Sequence, residues 1–204
     1  MLLEVCVDTA AGAAAAQAGG AKRLELCSRL EVGGLTPARE LVDAVVAEAR
    51  VPVHVMVRPR AGDFVFAADE IETMRAQIDD LKERGAAGFA LGALTKDDLV
   101  DRERTARLVE RARPLPVTFH RAFDVVPDPY EALETLIELG IERVLTSGGA
   151  PTAVDGIDVL GRLIDQAGGR IIVMPGGGVR AENVESLVLE TGATELHSST
   201  AFPL

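Results

Sequence analysis

The chain has 204 residues, 48% of them hydrophobic and 26% charged, and a formal net charge of −11. That length suits one domain, residues 1–204, with a sizeable core, which must be built from Val, Leu, Ile and Ala because only 3% is aromatic and there is no Trp. The acidity, with no cluster of Lys or Arg to offset it, argues against a nucleic acid or an anionic membrane surface as partner.

The N-terminus enters strand pattern directly, with no basic segment and no apolar segment of a signal peptide. No apolar run approaches the roughly 18 residues that span a bilayer, and the two cysteines lack the spacing of a disulfide framework. A cytoplasmic protein with reduced thiols is expected.

In chain order, strands are predicted at LLEVCV (2–7), KRLELC (22–27), VPVHVMVR (51–58), GFALG (88–92), PVTFHR (116–121), RVLTS (143–147), RIIVMP (170–175) and TELHSS (194–199). Helices fall between them. Thr36-Pro37 is predicted to open one. Ile71, Met74, Ile78 and Leu81 make the stripe of another, which stops at Gly85. Asp128, Pro129 and Glu131 form a capping-box start, and Gly192 closes the helix that holds Val184, Leu187 and Val188.

Strict alternation implies a parallel sheet. In an open doubly wound sheet both faces would be apolar. Here one face is polar: Glu4, Cys6 and Asp8 alternate with Leu3, Val5 and Val7, Glu25 and Cys27 with Leu24 and Leu26, and His54, Met56 and Arg58 with Val53, Val55 and Val57. The recurring one-sided pattern favours a closed (β/α)8 TIM barrel whose polar face is the lumen. Only Thr200 to Leu204 follow the last strand, so the eighth helix is expected to be missing. Strands 8 and 1 would then show apolar surface, and a homodimer or homotetramer with Ala201, Phe202 and Leu204 near a contact is expected.

Catalytic residues of such barrels lie at the C-terminal ends of the strands. Gly176, Gly177 and Gly178 follow strand 7 and suit close approach of backbone N–H groups to an anion, although a tight turn that binds nothing has the same composition. Cys6 and Cys27 lie on inward faces of neighbouring strands, where two thiols could grip one soft Cu(I) ion or simply fill space. Met56 and Met174 are further inward-facing sulfur candidates. Glu4, Glu25, Glu195, His54, His120 and His197, with Arg58, Arg60 and Asp124 at the mouth, make either a buried ion-pair network or an acid–base site. No Lys sits late in a strand facing the lumen, which disfavours Schiff-base chemistry, and an HxH zinc pattern is absent.

The strings EVCVD, GGAKRLELCSRLEVGGLTP, PVHVMVRPRAGDFVF, LGALT, PLPVTFHRAFD, RVLTSGG, RIIVMPGGGV and GATELHSS resemble the CutC family of copper homeostasis proteins nearly end to end. The resemblance implies a (β/α)8 barrel, a cytoplasmic location, self-association into dimers or tetramers, and copper handling with Cys6 and Cys27 as Cu(I) ligands. Family chains generally continue with an Arg after HSSA, whereas this one reads HSSTAFPL. Three readings stay open. One is a Cu(I)-binding homeostasis protein. The second is an enzyme of lyase, isomerase or hydrolase type acting on a small phosphorylated or carboxylated metabolite. In it Gly176, Gly177, Gly178, Arg58, Arg60 and His197 bind, while Glu25, His120 and Glu195 move protons. The third is an oligomeric scaffold.

Overall fold

The computed structural model describes residues 1–199. Eight parallel strands, β1 (Leu2–Val7), β2 (Arg23–Leu26), β3 (Val53–Met56), β4 (Gly88–Leu91), β5 (Val117–Phe119), β6 (Arg143–Thr146), β7 (Ile172–Pro175) and β8 (Glu195–Ser199), pair in the order β7-β6-β5-β4-β3-β2-β1-β8. Seven ladders join them. The remaining seam, between β7 and β8, is closed by one parallel bridge, Gly176 to His197. The result is the (β/α)8 barrel that the one-sided polarity predicts.

Helices α1 (Ala10–Ala18), α2 (Arg39–Glu48), α3 (Ala68–Glu83), α4 (Arg102–Ala112), α5 (Pro129–Glu138), α6 (Ile157–Ala167) and α7 (Val184–Thr191) cover the outer faces. The stripe Ile71, Met74, Ile78 and Leu81 of α3 is buried as its spacing requires. Asp128 accepts from the N–H groups of Tyr130 and Glu131 at the start of α5, and Gly192 ends α7 at φ 72°. One expectation fails. Thr36-Pro37 does not open α2, which starts at Arg39 after Ala38. The Thr36 hydroxyl is committed elsewhere, accepting from Arg58 N–H at 2.9 Å and donating to Gln77 Oε1 at 3.1 Å.

The main core lies between strands and helices, with Leu24, Leu26, Val55, Phe89, Leu91, Phe119 and Val144 on the outer sheet face. A second small apolar cluster, Cys6, Cys27, Met56 and Ala90 with Leu30 against it, sits inside the barrel. Most of the rest of the lumen is polar and buried: Glu4, Arg23, Glu25, His54, Thr118, Arg143, Glu195 and His197, with Met174 against Arg23.

Among the described residues no helix follows β8. The outward Leu196 of β8 is nevertheless fully buried, while Leu3 and Val5 of β1 are half-buried. Large exposed hydrophobics are scattered at Met1, Leu99, Val125, Val154 and Leu189. The expected contact residues Ala201, Phe202 and Leu204 lie outside the described residues. No helix among the described residues is long and apolar enough to cross a membrane.

Candidate functional site

The lumen is organised by strand register from one end to the other. Arg23, Arg143 and Glu195 are each the first residue of their strand and meet at the N-terminal end. Arg23 donates through Nε to Glu4, and through Nη2 to Glu195 Oε2 at 2.5 Å and Met174 Sδ at 3.3 Å. Arg143 Nε donates to the same Glu195 oxygen at 2.9 Å. Buried carboxylates are costly unless paired, and these two guanidinium groups offset Glu4 and Glu195. Burial would raise the Glu195 pKa, but its bonds to Arg23 and Arg143 outweigh it and lower the group.

The network continues toward the mouth through His197, whose Nδ1 lies 2.7 Å from Glu4 Oε1 and whose Nε2 lies 3.8 Å from Glu25 Oε2. Burial works against the charged forms of both partners. Even so, the His197 bond and the Arg23 charge hold Glu4 at about 2, and the carboxylates of Glu25 and Glu4 raise His197 above an ordinary imidazole. Glu25 moves the other way, raised by burial. Its Oε1 is buried without a hydrogen-bond partner among the described residues. With Arg23 and Arg143 matched to Glu4 and Glu195, Glu25 and His197 are the lumenal pair whose protons remain in play.

Next to Glu25 stand the thiols. Cys6 and Cys27 form no disulfide and are buried, with sulfurs 3.4 Å apart. The bond to Cys27, burial and the neighbouring Glu25 carboxylate push the Cys6 thiol well above its usual range. Candidate ligand atoms of Cys6, Glu25 and His197 lie within 4.8 Å of one another. This donor set fits a metal ion, and the sulfur pair with Met56 in its cluster fits a soft one. Met174 is drawn away from such a role by its contact with Arg23.

A loop after β2 roofs the thiols. A Cβ on Gly34 would stand 3.3 Å from Met56 Cε and 3.4 Å from Cys27 Sγ, and Gly34 has φ +87°, so glycine is needed twice over. Arg58 holds this loop in place. Its guanidinium donates to the carbonyls of Val32 at 3.0 Å, Gly34 at 3.2 Å and Gly62 at 2.8 Å. Arg60 is likewise committed, to Glu70 at 2.6 Å and Asp63 at 2.9 Å. Both arginines that the sequence offers as an anion clamp therefore staple loops.

The structure does not gather the three residues assigned to proton transfer. Glu25 faces His197, whereas Glu195 is ion-paired at the opposite, N-terminal end. His120, directly after β5, accepts from Ala122 N–H through Nδ1 and lies against Phe64 at 5.0 Å. Burial, then Arg58, lowers His120 to about 3. Burial lowers His54 to about 4, and its Nε2 sits 2.5 Å from where a Gly88 Cβ would be.

The glycine turn is split. Gly176 N–H donates to Thr146 O at 2.9 Å, while Gly177 and Gly178 line a rim cavity of about 430 Å³ with Arg121, Arg180 and His197. Sequence reasoning missed Arg23 and Arg143. Arg23 shares the strand parity of Glu25 and Cys27, which would have found it.

The CutC family model matches residues 1–202. Over 198 residues the chain is 52% identical to a Mus musculus protein described as copper homeostasis protein cutC homolog, covering 97% of this chain and 73% of that one. It is also 52% identical to a family protein CutC of Caulobacter vibrioides, covering 100% of this chain and 83% of the relative. A solved Streptococcus agalactiae structure, described as a copper homeostasis protein CutC, superposes with a TM-score of 0.92 at 33% identity, covering 97% of this chain and 98% of that one.

Proposed function

The chain belongs to the CutC family, and on that premise we propose that it serves copper homeostasis by binding Cu(I) between Cys6 and Cys27. The observation that carries this reading is the buried pair of reduced thiols with sulfurs 3.4 Å apart. Thiolates and thioethers select Cu(I) among the common metals, and Met56 belongs to the same cluster. Cys6 and Cys27 would hold the ion through their sulfurs, with room for a neighbouring side chain to complete the site. Met56 and Glu25 are the neighbours that could do so. A reducing compartment, the cytoplasm, suits a site that needs both thiols reduced. Self-association into a dimer or tetramer belongs to the same reading, and sedimentation against the single-chain mass checks it.

The deciding experiment is anaerobic Cu(I) titration. The wild-type chain should take up about one ion, and Cys6→Ser, Cys27→Ser and the double variant should lose most of the uptake. Unchanged stoichiometry in the double variant would sink the proposal.

A second reading, acid–base chemistry on a small anionic metabolite, is favoured by one observation. His197, which faces Glu25 across 3.8 Å, also lines the rim cavity. Glu25 and His197 would be its proton-handling pair. Native mass spectrometry of the purified chain tests it, and a chain that never carries a small anion counts against it.

A further inference from the structure

The rim cavity has a chemistry of its own, distinct from the thiols. After β7 the turn Gly177 to Val179 has all three carbonyls engaged by donors. Gly177 O accepts from Ala153 N–H at 2.8 Å, Gly178 O from Asn183 Nδ2 at 2.9 Å, and Val179 O from the Ser198 hydroxyl at 2.9 Å. The Gly177 N–H faces the His197 carbonyl across the β7–β8 bridge, whereas among the described residues no carbonyl or side chain takes the N–H groups of Gly178 and Val179, and both residues line the cavity. Backbone donors left together at a concave surface suit an anion.

Two guanidinium groups line the same cavity, Arg121 and Arg180. Arg121 is aimed by its neighbours. Its Nε donates to Asp124 at 2.6 Å and its Nη2 to Ser147 Oγ at 3.0 Å. Asp124 is itself fixed, accepting from the Thr146 hydroxyl and from the N–H of Ser147 at 2.9 Å. The third nitrogen, Nη1, then lies 3.3 Å from where a Cβ on Gly177 would stand, so a side chain there would push the guanidinium aside by a few tenths of an ångström. Glu182 is a carboxylate in the lining, set against the two arginines.

We infer that this cavity binds the phosphate group of a small phosphomonoester, with Arg121, Arg180 and the N–H groups of Gly178 and Val179 as donors. Two backbone donors and two guanidinium groups match three terminal oxygens of a dianion better than the two of a carboxylate. A volume of about 430 Å³ exceeds what bare phosphate fills and lies in the range of small-metabolite sites. Asp124 acts as a positioning residue for Arg121. The inference deepens the second functional reading and is independent of copper binding.

The test is an NMR titration of the isotope-labelled chain with glycerol phosphate and, separately, inorganic phosphate. The amides of Gly178 and Val179 should shift saturably, with the monoester bound several-fold more tightly than free phosphate. Arg121→Gln and Arg180→Gln should each weaken the monoester roughly ten-fold. Because Arg121→Gln also removes a partner of Asp124, Arg180→Gln keeps the test alive if the first variant misfolds. The Cys6→Ser/Cys27→Ser variant should titrate as wild type, which separates failure here from failure of the copper reading. No saturable shift up to about 10 mM ligand would overturn the site, as would shifts indifferent to both arginine variants. Equal affinity for inorganic phosphate would overturn its assignment to a monoester.

Discussion

Cys6 and Cys27 touch through their sulfurs at 3.4 Å although their backbones are not register partners: Cys6 pairs with Glu25, and Cys27 follows two residues later, just beyond the end of β2. The contact is therefore diagonal across two strands, and Glu25 stands beside Cys6 as its lateral neighbour. This places a carboxylate next to one thiol of the pair, and it makes the Cys6 proton hard to remove.

Copper affinity should accordingly depend on pH. The Cys6 thiol lies well above its usual range, through its bond to Cys27, burial and Glu25, so Cu(I) must displace its proton. Each proton released steepens the response by about ten-fold per pH unit. Competition against a Cu(I) chelator should show affinity rising from about pH 6 to 8, with a shallower slope in Cys6→Ser. A flat profile in the wild type would contradict thiol ligation.

Removing Arg23 should be costly. Arg23→Met leaves Glu4 without its guanidinium and Glu195 with Arg143 alone. Breaking one partner out of a buried ionic network costs about 3–5 kcal/mol. Urea unfolding should show a loss of that order, whereas Arg39→Met, at a largely exposed pair with Asp80, should change stability by no more than about 1 kcal/mol.

Arg58 should behave as a latch over the thiols. Arg58→Lys cannot reach three carbonyls in the plane of a guanidinium, so the loop carrying Gly34 should open more often. Alkylation of Cys27, fully buried in the native chain, should accelerate by roughly ten-fold, with the global unfolding midpoint much less affected. Equal alkylation rates would show that the roof is held by other contacts.

Stability should peak near the ordinary imidazole pKa. His54 and His120 are lowered to about 4 and about 3, and Glu4 to about 2. In each case the unfolded chain binds more protons below the group's ordinary pKa, so stability falls as pH drops from 6.5 for the histidines and from 4.5 for Glu4. His197 has the opposite sign. Its raised pKa gives stability that is complete below 6.5 and is lost as pH climbs through the folded value. Glu25, raised by burial, also opposes stability above 4.5. Thermal melting across pH should give a dome, and His120→Asn should flatten its acid limb.

Much of this was legible in the sequence because strand alternation is a local signal. Residues of equal parity with Cys6, Glu25 and His54 had to share the lumen, and they do. The same rule implied Arg23, but a basic residue at a strand's edge reads as a solvated end until its partners are known. What parity cannot supply is height in the barrel. Glu195 and His120 both belong to inward positions, yet they come from opposite ends of their strands, and no pattern in the sequence says so. Arg58 and Arg60 were misleading for a related reason: a guanidinium near a mouth serves a ligand or a loop equally well by composition, and the carbonyls of Val32, Gly34 and Gly62 decide for the loop.

The β7–β8 seam, a single bridge between Gly176 and His197 where every other neighbour pair has a ladder, makes one residue the clasp of the whole ring. The side chain of that clasp reaches Glu4 inside the lumen, while the residue also borders the rim cavity. The seam is thus the weakest joint of the ring, and its amides should exchange ahead of those of β3 and β4; a molecule that settles against His197 should slow that exchange.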